Sequence, residues 1–254
     1  MTASNMVYSA PALEKGLDII ELLSTEPDGL TANEIARRLK RSINEVFRMI
    51  MVMEQRRWLS QTADSRYRVT YEVVKFALRA TPAQGLIDAA APVMHDLARA
   101  TYQSSHLVVL SQQQGFVLHR QENVGPVGFG MRLGAPIDLI TSCSGNVLLA
   151  FSAPEIVASL LKDLPRPKSL TLKALQSQLA KIREDGCASR PSLRTEGVHD
   201  ISYPVFGFDG TLAAVLTMPY LRLIDGSQQF DFEETGAALA QAATKISRTM
   251  GWAG

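Results

Sequence analysis

Thr31 and Glu34 stand three residues apart, and Ser42 and Glu45 repeat that spacing eleven residues further on. In such a pair the hydroxyl accepts the amide of the third helical residue, while the carboxylate takes the amide of the capping residue. Each pair therefore marks a helix start. The first predicts a short helix over Ala32–Leu39 that buries Ile35, Ala36 and Leu39; the second predicts a helix from Ser42 to about Arg57. The buried stripe of that longer helix would be Val46, Ile50 and Met53, with Ile43 and Met49 beside it. Lys40 and Arg41 form the turn. An amphipathic helix over Ala12–Leu23, with Leu13, Leu17, Ile20 and Leu23 at helical spacing, precedes a break at Pro27-Asp28-Gly29. Three helices in this order, the last two joined by a tight turn, describe a helix-turn-helix.

After the third helix, Trp58-Leu59-Ser60-Gln61 and Arg66-Tyr67-Arg68-Val69-Thr70 flank a small polar turn, which predicts a β-hairpin. Leu59, Tyr67 and Val69 would face the core, and Arg66 and Arg68 would project together on the other face. A hairpin directly behind a reading helix is the wing of a winged helix. Charge sharpens this picture. Between Ala36 and Arg68 nine cations meet three carboxylates, a net of +6 in a chain whose total is +1, so the remainder sums to −5. Eight of the nine are arginine, whose planar fork suits phosphates and guanine edges. A solvated basic face would carry the same charge, so the order of elements has to decide. That order places Ser42, Asn44, Glu45 and Arg48 at the end of the helix that enters a major groove. Thr31 and Arg41 join them at the motif's turns, and Arg66 and Arg68 would hold phosphates or a minor groove. The candidate partner is double-stranded DNA. A winged helix used for protein contacts is disfavoured by the arginines on the wing.

A helix over Tyr71–Ala80 leads to an interruption at Thr81-Pro82, so the domains are expected at 1–80 and 81–254. Beyond it a helix from Gly85 to about Tyr102 gives way to a period of two. Strands are predicted at His106–Ser111, Phe116–Gln121 and Val127–Met131, and Gly134-Ala135-Pro136 reads as a loop. Helices at Ser142–Phe151, Pro154–Leu161 and from Thr171 to Gly186 follow. Three more strands, Ala188–Ser192, Asp200–Val205 and Leu212–Met218, precede a closing helix over Phe232–Met250. Strands clustered at two places predict an α+β domain rather than a doubly wound parallel sheet.

Catalytic motifs do not appear in this second domain. It carries no glycine-rich phosphate loop, no GxSxG, no HExxH and no CxxC, and its histidines are scattered. Cys187 and His199 would supply only two of the three or four ligands a metal needs, so neither a metal site nor a cofactor is expected. Two cysteines fit a reducing compartment, no apolar run approaches the roughly 18 residues of a membrane span, and the amino terminus lacks the pattern of a secretory signal. A cytoplasmic protein with no membrane partner is the expectation. Cys143, in Thr-Ser-Cys-Ser-Gly at a helix start, has three readings: a nucleophile with a depressed pKa, part of an anion-binding site, or plain capping.

The chain resembles the IclR family of transcriptional regulators from about Ala12 to about Met250. The segments that carry the resemblance are ALEKGLDII at Ala12, LTANEIA at Leu30, RLGAP at Arg132 running into SCSGNVLLA at Ser142, IREDG at Ile182, EGVHDISYPV at Glu196 and GTLAAV at Gly210. The resemblance implies a GAF-like or profilin-like effector-binding domain, a homodimer that can pair into a tetramer, and operator binding altered by a small organic acid. Its members often control catabolic operons as repressors or activators. By similarity the effector pocket would be built from Phe129, Ile137, Cys143, Ser144, Arg190, Val198, Asp200, Leu216 and Met218, with Arg190 as counter-charge. Asn146 stands where the family usually has lysine, and Leu216, Thr217 and Met218 where it often has small hydroxyl residues. Those departures imply a larger or more apolar acid, such as an aromatic or short-chain one. The leading expectation is a ligand-responsive regulator on a pseudo-palindromic operator and not an enzyme; the alternative is an enzyme acting on a small organic acid with Cys143 as nucleophile.

Overall fold

The computed structural model describes residues 10–80, 83–125 and 128–254, and the chain divides into two compact units, Met1–Pro82 and Ala83–Gly254. In the first, α1 (Pro11–Ser24), α2 (Ala32–Leu39) and α3 (Ile43–Gln55) are followed by the hairpin β1 (Leu59–Gln61) and β2 (Tyr67–Val69), then α4 (Tyr71–Ala80). Both capping boxes form, on Thr31 with Glu34 and on Ser42 with Glu45. Lys40 closes α2 in the left-handed region at φ 53°, which turns the chain into α3 within two residues. Ile19, Leu23, Ile35, Val46, Ile50, Met53, Leu59 and Tyr67 make one core.

Two expectations about helix faces fail here. On α1 the buried residues are Ile19 and Leu23, whereas Leu13 and Leu17 are 64% and 50% exposed. That helix carries two overlapping apolar registers, and packing against α2, α3 and β2 selects the one through Ile19. On α3, Ile43 is 41% exposed instead of buried: it is in line with Ile50 but stands at the first helical position, at the end of the buried stripe.

The second unit is built on a six-stranded antiparallel sheet in the order β5-β4-β3-β8-β7-β6. Its elements run α5 (Ala83–Thr101), β3 (Ser105–Ser111), β4 (Gln114–Gln121), β5 (Pro136–Ile137), α6 (Cys143–Phe151), α7 (Pro154–Asp163), α8 (Leu172–Asp185), β6 (Ala188–Pro191), β7 (His199–Phe206), β8 (Leu212–Tyr220) and α9 (Phe232–Thr249). Helices cover both faces. Leu107, Ile201, Leu216 and Met218 pack toward α5 and α9, and Val108, Val117 and Val215 toward α6 and α8. Its mixture of helices and an antiparallel sheet is the α+β class. No described helix is long and apolar enough to cross a membrane.

The expected strand over Val127–Met131 is not there: residues 128–131 are irregular, and Val127 lies outside the described residues. The third partner of this hairpin is β5, where a loop was expected, with Gly115 opposite Ile137. Gly128 and Gly130 weaken strand formation, and the irregular backbone there delivers Phe129 and Met131 to the site described next.

Candidate nucleic-acid interface and ligand pocket

The turn before α3 is held by ionic contacts rather than left free. Glu45 accepts from the Ser42 amide at 3.2 Å and its hydroxyl at 2.9 Å, and Lys15 on α1 reaches the other carboxylate oxygen at 2.6 Å. Its carboxyl is drawn down to about 2, first by the Lys15 hydrogen bond and then by Ser42. Arg41 pairs with Asp18 of α1 at 2.9 Å. Asn44 and Arg48 remain exposed on the outer face, and the Arg48 Nε donates to the Asn44 carbonyl one turn back.

The wing separates its two arginines. Arg66 donates from Nη1 to the Gly29 carbonyl at 2.9 Å and pairs with Glu34 at 3.1 Å and Asp64 at 3.3 Å. Glu34 is the same carboxylate that closes the Thr31 cap, and its pKa is lowered mainly by the Thr31 amide and hydroxyl. Thr31, Glu34 and Arg66 thus form one network that fastens the hairpin to the start of α2. Arg68 has only a 3.9 Å approach to Asp28, whose side chain is 98% exposed. Arg66 and Arg68 share one side of the hairpin, as expected, but Arg66 does not project freely, because residue 30 pairs with Tyr67 and brings the Gly29 carbonyl under its guanidinium. Gly29 is required there: its φ is +70°, and a Cβ would stand 2.5 Å from the Tyr67 oxygen. Lys40, Arg48, Arg56 and Arg57 have no ion-pair partner among the described residues.

In the second unit a cavity of about 110 Å³ opens between the sheet and the start of α6. Of the expected effector residues, Phe129, Ile137, Cys143, Ser144 and Asp200 line it. The other four do not. Leu216 and Met218 point to the opposite face of the sheet, into the α5–α9 core, because side chains alternate along β8. Thr217 is the β8 residue that faces the cavity. Val198 is buried without reaching it, and Arg190 turns aside to donate to the Thr141 carbonyl.

Sequence reasoning missed several lining residues. His106 on β3, opposite Thr217, is 4% exposed, and its Nδ1 has no hydrogen-bond partner among the described residues. Burial holds that ring neutral, with its pKa lowered to about 4. Ser192, Arg194 and Thr195, in the loop after β6, complete the wall, and Arg194 is the exposed cation at its edge. The available signal was a lone polar residue within each of three otherwise apolar strand segments, His106, Ser202 and Thr217, which pair side by side across β3, β7 and β8.

The α6 end is shaped to face this space. Ser142 caps it by accepting from Gly145, so the amides of Cys143 and Ser144 have no intrahelical acceptor. Gly145 lets the preceding loop lie against the helix: a Cβ there would stand 2.2 Å from the Asp138 oxygen. Asn146 donates to the Leu139 and Ile140 carbonyls at 3.1 and 2.9 Å and accepts from Gln178, which braces the loop from behind. Cys143 is 2% exposed, and its Sγ approaches the Ala188 and Asp200 carbonyls. Burial pushes the thiol up to about 11, opposite to the depression that a helix amino terminus alone would cause. Asp200 is also raised by burial, against the lowering effects of Ser192, Arg190 and His199.

The family model described as IclR helix-turn-helix domain matches residues 12–63, and that described as bacterial transcriptional regulator IclR C-terminal matches residues 78–248. The chain belongs to the IclR family. Among its IclR relatives, the HTH-type transcriptional regulator KdgR of Escherichia coli (strain K12) is 27% identical over 251 residues, 96% of this chain and 94% of KdgR. BhcR of Paracoccus denitrificans (strain Pd 1222) is 28% identical over 247 residues, 93% of this chain and 86% of the relative. Solved IclR structures share the fold. An IclR homolog from Microbacterium hydrocarbonoxydans, complexed with 4-hydroxybenzoate, superposes with a TM-score of 0.79 at 24% identity, covering 94% of this chain and 98% of that one. Pseudomonas aeruginosa HmgR gives 0.77 at 23% identity, with 96% and 100% covered. This IclR chain is therefore a transcriptional regulator with a helix-turn-helix domain for DNA.

Proposed function

We propose that the chain is a homodimeric regulator, able to pair into a tetramer, that reads a pseudo-palindromic operator through residues 1–80 and is switched by a small carboxylate bound in residues 81–254. The observation that carries the switch is the cavity itself: an unpartnered His106 Nδ1 on one wall and the free amides of Cys143 and Ser144 on another. A helix start favours an anion, and a buried polar atom without a partner is costly until a ligand supplies one. A volume of about 110 Å³ is smaller than the roughly 150 Å³ that accommodates benzene. A short acyclic acid fits this volume, which favours the short-chain acid over the aromatic one among the two expected, and Leu216 and Met218 are not what faces it. The relative complexed with 4-hydroxybenzoate supports a small acid as ligand of a protein with this fold. An acid that prefers one arrangement of the dimer over another changes operator affinity by that difference alone.

The neutral Cys143 thiol supports binding over turnover and a protein that is not an enzyme. Calorimetry of the full-length protein against acyclic and aromatic carboxylates, repeated on His106→Phe, tests the effector half. Acyclic acids should bind to the wild type and weaken by tenfold or more in the variant. Turnover of an acid, with loss in Cys143→Ser, would overturn this reading in favour of the enzyme. For the DNA half, Arg48→Ala should weaken operator binding by about 1–3 kcal/mol and reduce discrimination against random duplex.

A further inference from the structure

The outer face of α3 is apolar to a degree that an ordinary solvated helix face is not. Ile43, Phe47 and Met51 are 41%, 47% and 44% exposed. They lie four residues apart, so they stack into one stripe along the helix. Asn44 and Arg48 follow each of the first two by one position and run beside the stripe. Val46, Ile50 and Met53, on the adjoining face of the helix, fill the core, and the stripe stands outside that core cluster. Its surroundings exclude an apolar protein surface as the natural occupant. Lys40, Arg48, Arg56 and Arg57 ring the helix without ion-pair partners among the described residues, on a segment of net charge +6. Glu45, the acidic residue of the first turn, is tied down by Lys15 and Ser42.

A polyanion that also presents small apolar groups matches both features. In the major groove thymine is the base that offers a methyl group, and apolar side chains recognise it by contact. Resting on the assignment of α3 as the reading helix, we propose that Ile43, Phe47 and Met51 read thymine C5-methyl groups, with Asn44 and Arg48 reading base edges alongside. The stripe is a specificity determinant, and each half-site carries thymines in register with it. The hydrogen-bonding residues at the amino end of α3 are then one part of the readout and not the whole of it.

Replacing thymine by deoxyuridine removes the methyl and leaves every hydrogen-bonding group in place. Duplexes selected from a random library with the full-length protein would be resynthesised with deoxyuridine at each half-site thymine in turn. Wild-type affinity should fall about fourfold for each methyl in contact, the value of burying one such group. Phe47→Ala should bind the thymine duplex less tightly and become indifferent to at least one of those replacements, with the salt dependence unchanged because no phosphate contact is lost. Equal wild-type binding to thymine and deoxyuridine duplexes, with discrimination against random DNA intact, overturns this proposal alone. Failure to select any duplex overturns the reading of α3 beneath it as well. A Phe47→Ala protein that changes oligomeric state, while the wild type ignores the methyl groups, assigns the stripe to self-association and also overturns it.

Discussion

Burial holds the His106 imidazole neutral to about pH 4, whereas the unfolded chain takes up that proton near 6.5. Above pH 6.5 neither state is protonated and the full stability contribution is present. As the pH falls from 6.5 toward 4 the unfolded state gains the proton first, so stability declines, by on the order of 3 kcal/mol for a shift of this size. His119 and His199 lean the same way. The difference between wild type and His106→Gln in urea titrations at pH 7 and pH 4.5 isolates the one residue, and the variant should lose less stability across that interval. A carboxylate bound beside the ring should hold the protein folded at the lower pH. His106 was present in the sequence as one of four scattered histidines, and nothing local marked it. Its importance comes from β3 lying next to β8, a pairing across more than a hundred residues. The error at Leu216 and Met218 has a related cause. β8 is buried on both faces, so it reads as a nearly continuous apolar run, and the alternation that would assign its faces is missing.

Among the elements, the helix starts were legible because capping is local: Thr31, Ser42 and Thr171 each cap the helix expected of them. Faces and edges were less so. α1 offered two apolar registers, and only its packing chooses between them; β5 is two residues long and carries a proline, too little for any pattern. The wing shows how far local reasoning reaches. Alternation along β2 correctly puts Arg66 and Arg68 on one side, but the loop at Gly29 then claims Arg66. The two should separate by experiment. Arg68→Ala is expected to weaken binding to all duplexes alike and to lower the salt slope by about one. Arg66→Ala should do something different, loosening the hairpin from α2 and lowering stability modestly, as solvent-screened ion pairs do. Thermal denaturation beside salt-dependent anisotropy distinguishes them; a pure salt-slope effect from Arg66→Ala would return it to the phosphate-contact role.

The whole molecule has two units with separate cores, so unfolding should not be a single two-state step. Differential scanning calorimetry is expected to show two transitions, and a bound carboxylate should raise only that of Ala83–Gly254, by an amount that grows with ligand concentration. A ligand that raised the other transition alone would place its site outside the cavity beside His106. The average charge of the chain hid the basic segment, because it is offset inside its own unit: Ala36–Arg68 carries +6 while residues 1–35 carry −5, and the second unit is close to neutral. Within the first unit there is a second division, between residues that build α3 and residues that α3 displays. Lys15, Asp18, Glu34, Arg41, Ser42, Glu45 and Arg66 bind one another and hold the helix in place. Ile43, Asn44, Phe47, Arg48 and Met51 take no part in that scaffold of ion pairs and caps. Operator preference can therefore drift, or be re-engineered by grafting those five positions, without renegotiating the fold: the frame is inherited and the text it reads is open to change.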